Sequence, residues 1–415
     1  MSKRSPSRRC VLRSGLGSFA AAVAPVSLAA CTSESNSDTE QGTDLSEPVR
    51  NIPEPQALRS LIDQVGPLGE PNALGMRLPE GFSARIVARS GAPVMDAGSY
   101  IWHILPDGGA TFATEDDGWI YVSNSEIPIA GGVGALRFDA DGELIDAYPI
   151  LTATNMNCAG GKTPWHTWLS CEEFGGGRVW ECDPWGEAEG VERLALGRFR
   201  HEAATVDPVN AHVYLSEDET DGCLYRFIPD TLTELGDPDL TSGRLQVAVV
   251  GEDAVVDWRD LPDPQADGEL ETREQVAEAT VFTGGEGIWW HDGVVYLSTK
   301  GDNRVWAYNT ETGLLSTLYD RETSEEPILS GVDNLTVSCC GDVLVAEDGG
   351  SMQIVAILPD GSLQPLMQLV GQDGSEITGP DFDPSGTRLY FSSQRALGAT
   401  QGITYEVTGP FHAPA

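Results

Sequence analysis

From about residue 80 onward, apolar side chains come in short alternating runs and rarely recur at a helical spacing. Runs such as VYLS at 213–216 and VVYLST at 294–299 sit between turns rich in Asp, Gly and Asn, which predicts short buried strands. The runs also repeat as a unit: an acidic or cysteine residue opens a first strand, an Asp/Gly turn follows, then a VYLS-like strand, a loop and an aromatic-containing third strand. Six copies open at Glu115, Cys158, Glu202, Glu286, Asp333 and Asp381, at spacings of 43, 44, 84, 47 and 48 residues. The long third interval holds residues 230–282, with a helix-like ETREQVAEAT, and reads as an insertion between the third and fourth copies. Six such units predict an all-β, six-bladed propeller over 76–412, because stacked blades bury both faces of each small sheet. GFSARIVAR at 81–89 is expected to complete the last blade and close the ring. A two-sheet sandwich or two smaller domains are the alternatives.

In such blades the two inner strands are antiparallel, so the start of the first and the end of the second lie at the same end of the ring. That rule gathers Asn157 and Cys158 with Cys171, Glu172 and Glu173, and gathers Glu202 with Glu217 and Asp218. It likewise gathers Asp333 and Asn334 with Glu347 and Asp348, and adds Glu286 and Asp381. So many carboxylates at one channel mouth repel each other or take up protons unless cations bind. Only three lysines exist, and Lys300 alone stands at a matching strand end. Carboxylates suit hard cations such as calcium; a thiolate among them suits a transition metal such as iron. Singly, any of these acids is most simply a solvated turn residue; their repetition at one address is what marks them. Trp165, Trp168, Trp180, Trp289, Trp290 and Trp306 read as blade packing, and His103, His166 and His201 as structural histidines.

The first 31 residues carry Ser7-Arg8-Arg9 and an Ala-rich apolar stretch ending Leu28-Ala29-Ala30-Cys31. This fits a twin-arginine signal ending in a lipobox, with Cys31 as the lipidated residue; a plain signal with a chance cysteine is the simpler alternative. The twin-arginine route exports folded proteins, to the periplasm or the cell surface, which raises the expectation of a metal site. Residues 32–75 read as a flexible polar linker. Losing Lys3, Arg4, Arg8, Arg9 and Arg13 with the signal takes five positive charges from a net −39, leaving −44. Nucleic acid is therefore excluded as a partner, the only membrane contact expected is the lipid, and a monomer is expected. Of the remaining cysteines, Cys171 and Cys182 are placed for a hairpin disulfide. Cys339 and Cys340 are either a vicinal disulfide or two buried thiols.

NCAGGKTPWHTWLSCEE, RHEAATVDP, SEDETDGCLYRFIPD and DNLTVSCCGDVLVAEDG resemble motifs of PhoX-type alkaline phosphatases, and the likeness runs over about 75–410. The resemblance implies iron and calcium at the channel mouth, where a metal-bridging oxygen, with no protein nucleophile, attacks a small phosphomonoester. By motif, Cys158 would bind iron. Glu202, Glu286, Asp333, Glu347 and Asp348 would bind iron or calcium, as would, less securely, Glu172, Glu173, Glu217 and Asp218. One departure is clear: the family's phosphate-binding arginine, two residues before the glutamate of the fourth blade, is Gly284 here. Arg198, Arg200 or Lys300 could compensate. EGIWWHDGVVYLSTKGDNRVWAYN also resembles blades of calcium-dependent lactonases, so a lactone or ester hydrolase is a second expectation and a non-catalytic ligand-binding propeller a third.

Overall fold

The computed structural model describes residues 50–95 and 100–415; the twin-arginine motif and Cys31 lie outside them. Six antiparallel sheets follow one another along the chain as blades. The two inner strands of blade 1 are Pro106–Ala113 and Trp119–Ser125, and those of blade 2 are Asn157–Lys162 and Trp168–Glu172. In blades 3 and 4 they are His201–Asp207 with His212–Glu217, and Gly285–His291 with Val294–Thr299. In blades 5 and 6 they are Val332–Val337 with Val343–Glu347, and Ile377–Phe382 with Arg388–Ser393. The ring closes as the sequence predicts: Ser83–Arg89 pairs with Ile403–Thr408 as the outer strand of blade 6.

Six apolar clusters fill the seams between neighbouring blades. One joins Leu169, Cys171 and Val179 of blade 2 to Ala204, Val206 and Leu215 of blade 3. Another joins Tyr390 of blade 6 to Trp119, Tyr121 and Phe138 of blade 1. Trp168 is buried in the seam between blades 1 and 2, while Trp289, Trp290 and Trp306 pack partly buried at the seams of blade 4. The cores are thus made pairwise, and each blade is stable only between its neighbours.

Three expectations need correction. Residues 230–282 do not lie wholly outside the blade: Gly243–Val250 and Val256–Asp260 are the fourth and fifth strands of blade 3, and ETREQVAEAT forms only a single capped 3-10 turn at Thr272–Glu274. The polar tether ends before residue 75, because Leu58–Ser60 pairs with His412–Pro414 and Ile62 is fully buried. Cys171 and Cys182 are free thiols: Cys171 stands opposite Val179 and Cys182 opposite Trp168, so the hairpin register separates them.

Candidate metal centre

Every innermost strand carries the same irregularity. In blades 1 to 5 the first residue pairs with the last residue of the second strand, and then two residues face one. Asp107-Gly108 face Asn124, Cys158-Ala159 face Cys171, and Glu202-Ala203 face Ser216. Glu286-Gly287 face Ser298, Asp333-Asn334 face Ala346, and in blade 6 Gly379-Pro380 face Phe391. Such a bulge re-aims one side chain, and here it turns one donor per blade toward the axis in five blades of six. In blades 1 to 4 the second bulge residue is Gly or Ala, because the next blade's inner strand lies against it. A Cβ on Gly108 would sit 2.5 Å from Ala159 Cα, and one on Gly287 would sit 2.4 Å from Leu335 N. The residue opposite the bulge then ties the blades together. Asn124 Nδ2 donates to Cys158 O at 3.0 Å, Ser216 Oγ to Glu286 O at 2.6 Å, and Ser298 Oγ to Asp333 O at 2.5 Å.

A second circle surrounds the first. The residues just after the second strands are Glu126, Glu173, Asp218, Lys300, Asp348 and Gln394. Strand alternation separates each of these from the residue before it. Glu172 accepts from Asn155 N at 2.9 Å, while its neighbour Glu173 faces the mouth. Glu217 accepts from Cys223 N and Tyr225 Oη, and Glu347 from the backbone N–H groups of Ser330, Ser351 and Gln353. These three glutamates clamp turns and are not among the clustered donors.

The donors form a chain of four overlapping triads: Asp107–Glu126–Cys158, Cys158–Glu173–Glu202, Glu202–Glu286–Asp333 and Asp333–Asp348–Glu376. Within each, one ligand atom per residue lies within 4.8 Å of the others. Of the sequence-predicted ligands, Cys158, Glu173, Glu202, Glu286, Asp333 and Asp348 are brought together. Asp218 sits at the edge, 3.9 Å from Arg200. Sequence reasoning missed Asp107, Glu126 and Glu376. Glu115 lies instead in an exposed turn, accepting from Asn51 N, and Asp381, held by Thr111 and Lys162, sits two residues past the donor position, which is Gly379 in blade 6. His201 is buried with Nε2 3.1 Å from Gly197 O and faces no triad.

Among the described residues, three basic side chains meet the eight carboxylates and one thiol of these triads. Arg200 donates twice to Glu173 Oε1, at 2.9 and 2.6 Å. Lys300 Nζ lies 2.6, 3.1 and 3.3 Å from Glu286, Asp333 and Asp348. Arg395 lies 3.1 Å from Glu376 and 3.7 Å from Asp348. Burial alone would depress the Lys300 ammonium, but Asp333 and Glu286 more than reverse it and raise its pKa. The acids remain overcrowded. Burial, reinforced by neighbouring carboxylates, pushes Glu173 up to about 8 and holds Asp107, Glu202 and Glu376 well above the carboxylate range. Burial likewise raises Cys158. Among the described residues, no Lys or Arg is within ion-pair reach of Asp107 or Glu202. Buried carboxylates without counter-charges, grouped at ligand spacing, fit bound cations.

The family described as Alkaline phosphatase PhoX matches residues 123–179 and 175–396. The chain belongs to the PhoX alkaline phosphatase family. The metal dependence of that family agrees with the donor triads. Among solved structures, this PhoX-family chain is similar to Pseudomonas fluorescens PhoX in complex with vanadate, a transition state analogue. That likeness has TM-score 0.66 at 16% identity, covering 85% of this chain and 98% of that one, and it establishes the shared fold. A gluconolactonase of Xanthomonas campestris is similar at TM-score 0.45 and 14% identity, covering 87% and 99% of the two chains; at that level it decides nothing. No curated protein matches the sequence.

Proposed function

We propose that this PhoX-family chain is an exported metal-dependent phosphoric monoester hydrolase, with iron and calcium at the channel mouth and no protein nucleophile. The observation that carries this reading is the uninterrupted run of triads, soft at one end and hard at the other. Cys158 belongs to two triads, whereas Glu202–Glu286–Asp333 and Asp333–Asp348–Glu376 offer oxygen alone. Sulfur beside carboxylates suits iron, and all-oxygen sets suit calcium. Bound there, such cations supply Lewis acidity toward phosphoryl oxygens and a nucleophile at working pH.

The chain's own residues supply the rest. Arg200, Lys300 and Arg395 bring positive charge to the mouth, where an anionic monoester needs it. Of the three, Lys300 is the one whose backbone and Cβ lie beside the place vacated by the family arginine. Its backbone N donates to Gly284 O at 2.8 Å, and a Cβ on Gly284 would lie 3.8 Å from Lys300 Cβ. We assign Lys300 as the phosphate contact in place of that arginine, with Arg200 orienting Glu173. Arg198 points away, toward Asp267 at 3.8 Å. Gln394 Nε2, donating to Asp107 and Glu126, fixes the carboxylates of the first triad. Ser7-Arg8-Arg9 and Cys31 support twin-arginine export and a lipid anchor as parts of the same proposal.

The test is elemental analysis of natively exported protein together with hydrolysis of p-nitrophenyl phosphate, with and without a chelator. Iron plus calcium and chelator-sensitive turnover are expected. Iron without turnover would remove the phosphatase assignment. Calcium alone with lactone turnover would favour the lactonase reading, and no tightly bound metal the ligand-binding one.

A further inference from the structure

At the end of the ring opposite the acidic mouth, the turn between the inner strands of blade 5 carries Cys339 and Cys340. The terminal strand pair, Leu58–Ser60 with His412–Pro414, reaches this turn through Leu58 and His412. Cys339 is exposed, Cys340 is half-buried, and the Cys340 thiol donates to Leu58 O at 3.4 Å. The two sulfurs are 3.5 Å apart, well beyond the roughly 2.05 Å of a disulfide bond. One ligand atom each of Cys339, Cys340 and His412 lies within 4.8 Å of the other two.

His412 supplies the second, independent observation. Its side chain is 4% exposed, and Nδ1 lies 2.8 Å from Gly386 O. A carbonyl can only accept, so Nδ1 carries the proton and the lone pair resides on Nε2. Nε2 is buried and has no hydrogen-bond partner. A histidine anchored through one nitrogen to a carbonyl, with the other left as a bare lone pair, has the form of a metal ligand with its outer-shell partner already in place.

We propose that Cys339, Cys340 and His412 form a site for a thiophilic cation of the zinc class, which fastens the terminal strand pair to blade 5. Binding forms two sulfur–metal bonds and one nitrogen–metal bond. The two thiol protons go to solvent, no electron is transferred, and a fourth tetrahedral position is left for water. The two thiolates neutralise the dication, so the site needs no carboxylate. It is separate from the mouth in place and in chemistry, and does not depend on the phosphatase reading.

The test uses full-length, reduced Cys158→Ser protein, so that the mouth contributes no sulfur ligand. Titration with Cd2+ is expected to give a saturable sulfur-to-cadmium absorbance at one equivalent, and Zn2+ to raise the melting temperature. Adding Cys339→Ser, an exposed change, should weaken both responses about tenfold or more. Absence of the band before Cys339 is replaced overturns the proposal, as does its persistence afterwards. A peptide mass showing Cys339 joined to Cys340 in the exported protein overturns it too.

Discussion

Cys158 Sγ donates to Glu202 Oε1 at 3.4 Å, from the inner strand of blade 2 to that of blade 3. The contact joins a buried thiol to a buried carboxylate that no basic side chain among the described residues reaches, and both belong to one triad. Replacing sulfur by oxygen keeps the size and the hydrogen bond but removes the soft donor. Cys158→Ser is therefore expected to fold, to lose iron while keeping calcium, and to lose at least the roughly 10–100-fold in turnover that even outer-shell metal partners cost. Metal content per folded chain checks this; unchanged iron in the variant would place that metal elsewhere.

Metal-free protein should be most stable on the acid side. Burial and neighbouring carboxylates raise Glu173 from 4.5 to about 8, and push Glu202 and Asp107 in the same direction. Between those two values the folded state holds protons that the unfolded chain has lost, so stability falls as pH rises through the window. Bound cations replace those protons and cancel the slope. With chelator, the melting temperature should be lower at pH 8 than at pH 5. The gain on adding metal should grow with pH, and rebinding should release protons measurable in weakly buffered solution.

Much of this is legible in the sequence. The repeat predicted the ring, and Cys158, Glu202, Glu286 and Asp333 open their inner strands where the pattern placed them. Blade 1 begins one strand earlier than the repeat predicts, because PDGGATFA is poor in β-branched residues and TEDDGWIYVS imitates a strand opening. Asp107 goes unmarked for the same reason, although an acid followed directly by a small residue, as in DGG, EAA and EGI, is the available signal. Glu126 and Glu376 carry no local mark; only the closure of the ring brings them to the mouth. The doublets were ambiguous for another reason: adjacent acids on a strand face opposite ways, and which one faces the channel depends on the register set by the bulge.

That register separates the two members of each doublet by experiment. Glu347 satisfies three backbone N–H groups of the loops around it, whereas Asp348 belongs to a triad. Glu347→Ala should cost about 1–3 kcal/mol for each donor left buried without a partner, with metal content per folded chain unchanged. Asp348→Ala should lower calcium content while barely moving the melting temperature of the chelated protein. The opposite assignment of effects would mean that the register turns Glu347, not Asp348, to the mouth.

Lys300 and Gly284 make the strongest pair for testing the phosphate site. Gly284 has φ +63°, and a Cβ there would lie 3.2 Å from Gly301 N, so any L side chain is strained. Gly284→Arg alone should cost about 1–2 kcal/mol of stability. The Lys300 ammonium lies on Glu286, two residues along from Gly284; because Lys300 is the assigned phosphate contact, its removal should reduce kcat/KM for a phosphomonoester by about 10²–10³-fold, the scale for losing one preorganised donor to developing charge. If the lysine stands in for the arginine, Gly284→Arg should recover part of this loss in the Lys300→Ala background and add little when Lys300 is intact. A purely structural lysine would behave differently: its loss would change melting and metal content, and an arginine at 284 would not restore turnover.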